Sequence, residues 1–168
     1  MTQVTVRAAR PEDVAAIHEF IRELADYEHA LDQVTGTPEM LRGALFGDRP
    51  SAEALLAVDA DGTPLGFALF HGSFSTWECL PGIWLEDLYV PARQRRSGVG
   101  RALLRALAAI AVQRGCPRLE WTALDWNEPA LSFYERLGAV RLEEWTTHRL
   151  TGEALRAVAR GRASPPQE

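Results

Sequence analysis

Two groups of residues in this chain are of types and spacing that could do chemistry together. The first is Arg95-Arg96-Ser97-Gly98-Val99-Gly100-Arg101, which opens an apolar helical repeat beginning at Leu103. The second lies just before it, in Leu85-Glu86-Asp87-Leu88-Tyr89-Val90, where two carboxylates interrupt apolar and aromatic residues of high strand propensity. A strand feeding a glycine-rich turn into a helix N-terminus makes an anion site. Unpaired backbone N–H groups point outward there, and the helix dipole adds roughly half a positive charge. Glycines allow close approach of an oxygen-rich ligand. The expected ligand therefore carries phosphate groups.

The turn lacks the Lys-Ser/Thr pair of a P-loop, and Leu103 stands where a dinucleotide fingerprint needs its third glycine. Arg95-x-x-Gly98-x-Gly100 is instead similar to the Gln/Arg-x-x-Gly-x-Gly/Ala signature of the GNAT superfamily of acyl-CoA-dependent N-acyltransferases. Asn127-Glu128-Pro129-Ala130 and Phe133-Tyr134 follow further on. Together these motifs resemble the spermidine/spermine (diamine) N-acetyltransferase branch and its bacterial relatives, from Val4 to Leu150. The resemblance implies a mixed α/β sheet flanked by helices, in which two neighbouring parallel strands splay apart. Those strands would end near Val90 and Asp125. It also implies acetyl-CoA as co-substrate, an amine as acceptor and a homodimer.

Acetyl transfer to an amine makes three physical demands. The amine must be neutral to attack, yet a lysine-like ammonium is deprotonated only about once in 10³·⁴ molecules at pH 7, a cost of ~4–5 kcal/mol. A carboxylate that holds the ammonium and relays its proton offsets part of this. Glu86 is the candidate, and its match in the resembled branch contacts the amine. The alternative is a carboxylate facing solvent, and alternation along a strand sends one of Glu86 and Asp87 away from the pocket. Developing oxyanion charge needs donors, which the family takes from backbone N–H groups here falling on Leu88, Tyr89 and Val90; such donors are worth ~3–4 kcal/mol each. The departing thiolate needs a proton. Tyr134 matches the tyrosine to which family mechanisms assign that proton, against the ordinary reading of a packed aromatic.

The same resemblance assigns the pyrophosphate to Arg95, Arg96, Ser97, Gly98, Val99, Gly100 and Arg101, and places Asn127, Pro129 and Ala130 beside the cofactor. Many relatives carry glycine where Arg96 stands. An acidic amine pocket is expected from Tyr27, Glu28, Glu86 and Glu120, with Trp121 and Thr122 beside it. Glu23 and Asp26 read as a solvated face. Trp77, Trp121 and Trp126 are candidates for cation–π walls or for core packing. The acceptor is expected to be a diamine, a polyamine or a thialysine-like amino acid, attacking directly in a ternary complex. A protein or peptide acceptor and a non-catalytic CoA-binding sensor are the alternatives.

Composition sets the remaining limits. The 168 residues suit one domain over 1–160 with a flexible tail at 161–168. The net charge of −5 argues against nucleic acid as a partner. All 18 basic residues are arginine, so no lysine is present to be self-acetylated. Two cysteines and four histidines without ligand spacing point to no metal site and no disulfide framework. No run approaches the ~20 apolar residues of a membrane span, and a cytoplasmic location is expected.

Along the chain, alternation predicts strands at Val4–Ala8, Ala54–Val58 and Leu65–Phe70, the last two joined as a hairpin. Helices are expected from Pro11, with Val14, Ile17, Ile21 and Leu24 as the apolar stripe, and from Thr37-Pro38. Gly72 to Gly82 reads as a loop. A helix from Gly100 to Arg114 presents Leu103, Leu107, Ile110 and Ala111 to the core and stops at Gly115. A strand at Leu119–Leu124, a helix from Asn127 to Gly138, strands at Ala139–Leu142 and Trp145–Leu150, and a helix from Thr151 complete the expected order.

Overall fold

A computed structural model describes residues 4–161. The expected tail beyond Gly161 lies outside the described residues. The chain forms two compact units, Met1–Thr122 and Ala123–Glu168.

The first unit is built on a sheet of order β1-β2-β3-β4-β5, comprising β1 (Thr5–Ala8), β2 (Glu53–Val58), β3 (Pro64–Ser75), β4 (Leu80–Tyr89) and β5 (Leu119–Glu120). The first four pair antiparallel, and β5 pairs parallel with β4. A parallel partner requires a crossover, which helix α3 (Val99–Gln113) supplies. Between β1 and β2 lie α1 (Val14–Tyr27), entered through a 3-10 turn at Pro11–Asp13, and α2 (Pro38–Phe46), whose N-cap Thr37 accepts from the Met40 amide at 3.3 Å.

One sheet face carries a core of Ile17, Phe20, Leu45, Ala54, Leu56, Val58, Phe67, Leu69 and Tyr89, drawn from α1, α2 and the strands. Phe20 belongs to this core although the expected stripe omitted it, and Ile21 and Leu24 pack at its edge. The other face is covered by α3, which buries Val99, Leu103, Leu104, Leu107 and Ala111. Burial on both faces explains why β2 reads as a continuous apolar run. Each fully buried side chain of this kind contributes ~1.5–3 kcal/mol.

Two expectations for this unit fail for non-local reasons. The stretch Gly72–Gly82 is hairpin, with only residues 76–79 outside the strands. Gly82 stands opposite Ser73, and a Cβ there would come within 2.6 Å of the Ser73 hydroxyl, so this glycine marks a close approach rather than a break. The strand expected to reach Leu124 stops at Glu120, because β4 leaves its neighbour after the pairs Ile83–Leu119 and Trp84–Glu120. That is the splaying the resemblance implies.

In the second unit, α4 (Glu128–Glu135) is capped by Asn127, whose side chain accepts from the Ala130 amide at 3.4 Å, and α5 (Gly152–Ala159) follows Thr151. The strands expected at Ala139–Leu142 and Trp145–Leu150 are coil. Their alternation is a local preference, but a strand also needs a partner ladder, and Val140, Leu142, Trp145 and Leu150 are exposed.

Candidate active site

The site is organised by an irregularity in β4. Leu69 pairs with Asp87 and Phe70 with Leu85, so Glu86 is the extra residue of a β-bulge. A bulge re-aims side chains and sharpens the local bend. Asp87 lies between core residues, opposite Leu69 and two residues before Tyr89, which places it on the α1 face. Glu86 accepts from Trp84 Nε1 at 3.1 Å and lies 3.8 Å from His71 Nε2. His71 pairs with Trp84 and stands two residues beyond Leu69, on the same face. Both carboxylates therefore point to the α1 side. The expectation that one of them faces away is corrected, because the extra residue cancels one step of the alternation.

Asp87 is the functional candidate that sequence reasoning missed. Burial pushes its pKa up to about 6, and the negative charges of Glu86 and Glu28 push the same way. Glu28, at the C-cap of α1, is itself raised by burial. Glu28, Glu86 and Asp87 are thus brought together as a group of carboxylates, of which Asp87 and Glu28 have raised proton affinity. A cationic amine would relieve their repulsion. Glu120 carries its own counter-ion, with Arg118 Nε at 2.9 Å. Trp121 is half-buried and Thr122 exposed, just past β5.

The end of α1 is fastened to this strand. Tyr89 donates its hydroxyl to Glu23 Oε2 at 3.0 Å, and burial with this bond raises the phenol to about 12. Glu23 is therefore a structural partner rather than part of a solvated face. The Arg95 guanidinium lies 4.5 Å from the centre of the Tyr27 ring, while its Nε donates to the Val90 carbonyl at 3.2 Å. Arg95 thus ties the glycine-rich turn to α1 and to the end of β4.

The turn fits a diphosphate. Gly98, the N-cap of α3, has φ +90 and no side chain caps the helix. The Ser97 hydroxyl donates backward to the Gln94 carbonyl, so it does not consume the first-turn amides. The N–H groups at the start of α3, which no helical carbonyl can reach, remain for a ligand. Arg96 adopts φ +66, which is why glycine suits that position. Arg95, Arg96, Ser97 and Arg101 are exposed, whereas Val99 is buried as the anchor of the helix. Beyond Trp84 the β4 ladder runs to β3 alone, so along Leu88, Tyr89 and Val90 the amides that face away from β3 border the splayed edge.

In the second unit, Tyr134 sits half-buried on α4 with its ring 5.3 Å from that of Phe133. Asn127 serves as cap, and Pro129 and Ala130 occupy the first turn. Trp77 is 88% exposed at the β3–β4 hairpin tip and Trp126 is exposed, so neither packs in a core. Among the described residues no group of His, Cys, Asp or Glu could hold a metal, and no helix is long and apolar enough to cross a membrane.

Residues 16–139 match the Acetyltransferase (GNAT) family. The chain is 38% identical over 169 aligned positions to a thialysine N-epsilon-acetyltransferase of Bos taurus, covering 95% of this chain and 99% of the relative. It is 30% identical to an L-ornithine N5-acetyltransferase of Arabidopsis thaliana, covering 91% of this chain and 86% of the relative. Among solved structures, an integron cassette protein from the mobile metagenome of V. cholerae superposes with a TM-score of 0.77 at 27% identity, over 95% of this chain and 98% of the other. The glycine-rich turn, the splayed strand and these likenesses agree: the chain belongs to the GNAT acetyltransferase family and is an acetyl-CoA-dependent N-acetyltransferase that acylates an amine.

Proposed function

We propose that this protein acetylates the terminal primary amine of a small cation, either an ω-amino amino acid of the thialysine or ornithine kind or a diamine or polyamine. The observation that carries this reading is the bulge at Glu86, which gathers Glu86 and Asp87 on one face with Glu28 close by. Asp87 and Glu86 act as a coupled pair that holds the ammonium and takes its proton. A pKa of about 6 suits a base working near neutrality better than an ordinary carboxylate does. Tyr27, Trp121 and Thr122 border the amine.

Amides of Leu88, Tyr89 and Val90 stabilise the oxyanion. Those of residues 96–101, with the exposed arginines, hold the coenzyme A pyrophosphate, and the family resemblance assigns Asn127, Pro129 and Ala130 to the cofactor as well. Tyr134 donates a proton to the departing thiolate; a neutral phenol keeps its proton near pH 7. Attack is direct, in a ternary complex, and needs no acyl-enzyme. The low cysteine content suits a reducing cytoplasm, and the homodimer follows from the family resemblance alone.

The test is coenzyme A release from acetyl-CoA with thialysine, ornithine, spermidine, putrescine and an N-terminal peptide. Turnover of one or more small amines with little on the peptide is expected. Preference for the peptide would favour a protein acceptor, and no turnover despite tight coenzyme A binding would favour a sensor. Tyr134→Phe should lower kcat by roughly 10²-fold with little change in the KM for acetyl-CoA; unchanged turnover would remove Tyr134 from the acid role.

A further inference from the structure

The Glu86 carboxylate is held by one oxygen. Oε2 accepts from Trp84 Nε1 at 3.1 Å and lies 3.8 Å from His71 Nε2. Both holders come from a single cross-strand pair, Trp84 and His71. Oε1 is left to turn toward an amine. The histidine is fixed as well. Its Nδ1 lies 3.0 Å from the Gly72 carbonyl oxygen, and a carbonyl only accepts, so Nδ1 carries a hydrogen. Nε2 is then a lone pair on the neutral ring, or a second N–H on the charged one. At 3.8 Å the two atoms lie beyond direct hydrogen-bond reach, so a proton passes between them through one bridging water, which the exposure of both side chains admits. The geometry suits a pair that passes a proton through a single water.

We propose that His71, acting through Glu86, receives the proton taken from the amine and passes it to solvent. His71 is a positioning and relay residue rather than a catalytic one. The proposal rests on the assignment of Glu86 and Asp87 as the amine's proton acceptor.

One ammonium N–H bond breaks as its proton bonds to a Glu86 oxygen, and the electron pair stays on nitrogen. The proton then moves through one bridging water to His71 Nε2, which regenerates the carboxylate, and the imidazolium loses it to solvent. Nitrogen attacks the thioester carbonyl carbon, the C–S bond breaks, and a second N–H proton is balanced by protonation of the thiolate. One proton per turnover leaves for solvent.

A histidine is a useful acceptor here. Imidazole is the side chain suited to taking up a proton near neutral pH and releasing it to solvent. The groups facing the ring are Glu86 and Trp84 from β4 and the Gly72 carbonyl from its own strand. Asp87 and Glu28 contribute the further negative charge close to Glu86. The side chains of His71 and Glu86 are 40% and 57% exposed, so water reaches the dyad.

The experiment compares wild type, H71Q, E86Q and D87N between pH 6 and 8.5 in dilute buffer at saturating acetyl-CoA. The probe is whichever of ornithine, thialysine and spermidine the wild type turns over fastest. H71Q is expected to lower kcat about tenfold at pH 7 with the KM for acetyl-CoA unchanged, and added imidazole should restore most of the loss. Wild-type rates for H71Q across this pH range would overturn the relay, as would a loss that imidazole does not restore. If E86Q and D87N lose activity while H71Q does not, the relay alone fails. If both keep wild-type rates, the base assignment fails and takes the relay with it.

Discussion

Asp87 is a residue whose chemical usefulness conflicts with stability. A carboxyl with a folded pKa near 6 and an unfolded value of 3.8 stabilises the fold while protonated. That contribution is present below pH 3.8 and is lost as pH rises through 6, because the folded state must then bury a charge. Asp87→Asn should therefore unfold like wild type near pH 3.5 and be more stable by roughly 1–3 kcal/mol at pH 8, while losing activity. Denaturant melts at the two pH values check the sign. Arg96 shows a different tension: its φ of +66 costs a side-chain-bearing residue ~1–2 kcal/mol, partly offset by the unfolded-state entropy a glycine would add. Arg96→Gly should raise the melting temperature by about 1–4 °C. A fall would mean that the side chain makes contacts worth more than the strain.

At the scale of elements, the junction of β3, β4 and α3 holds the turn in place. A Cβ on Gly66 would meet the Tyr89 carbonyl oxygen at 2.6 Å and the side chains of Val90 and Val99 at 3.2 and 3.3 Å. A backbone oxygen within a ladder cannot step aside cheaply. Gly66→Ala should cost ~1–3 kcal/mol of stability and raise the KM for acetyl-CoA, since it displaces the end of β4 and the first residue of α3 together. Thermal melts and acetyl-CoA titration check both halves; an unchanged KM would show that the turn is held independently of this packing. The opposite end of the sheet is fastened by Arg7, whose guanidinium meets Asp13 at 2.6 and 2.9 Å and holds that carboxyl below its usual range. The start of α1 is thereby registered on β1, and its far end, with Glu28, is carried to β4.

For the whole molecule, a net charge of −5 and the group Glu28, Glu86 and Asp87 should draw cationic amines electrostatically. The kcat/KM for such an amine should fall severalfold between 50 mM and 500 mM salt, with kcat nearly constant; a flat dependence would assign recognition to shape instead. The sequence by itself determined what depends on near neighbours: the helix starts at Thr37 and Asn127, the stop at Gly115, the α1 and α3 apolar faces, and the strand-turn-helix that suits a diphosphate. It also marked Glu86 and Glu28, through residue type and resemblance. The tertiary structure decided what depends on pairing between distant segments. Strand lengths at β3, β4 and β5 follow from partners, which local propensity does not register. The face to which Asp87 points follows from a single extra residue in the β4 ladder, visible only once Leu69 and Phe70 are set against it. Its raised proton affinity follows from burial beside charges that lie far away in the chain, and no spacing of residues could have shown it.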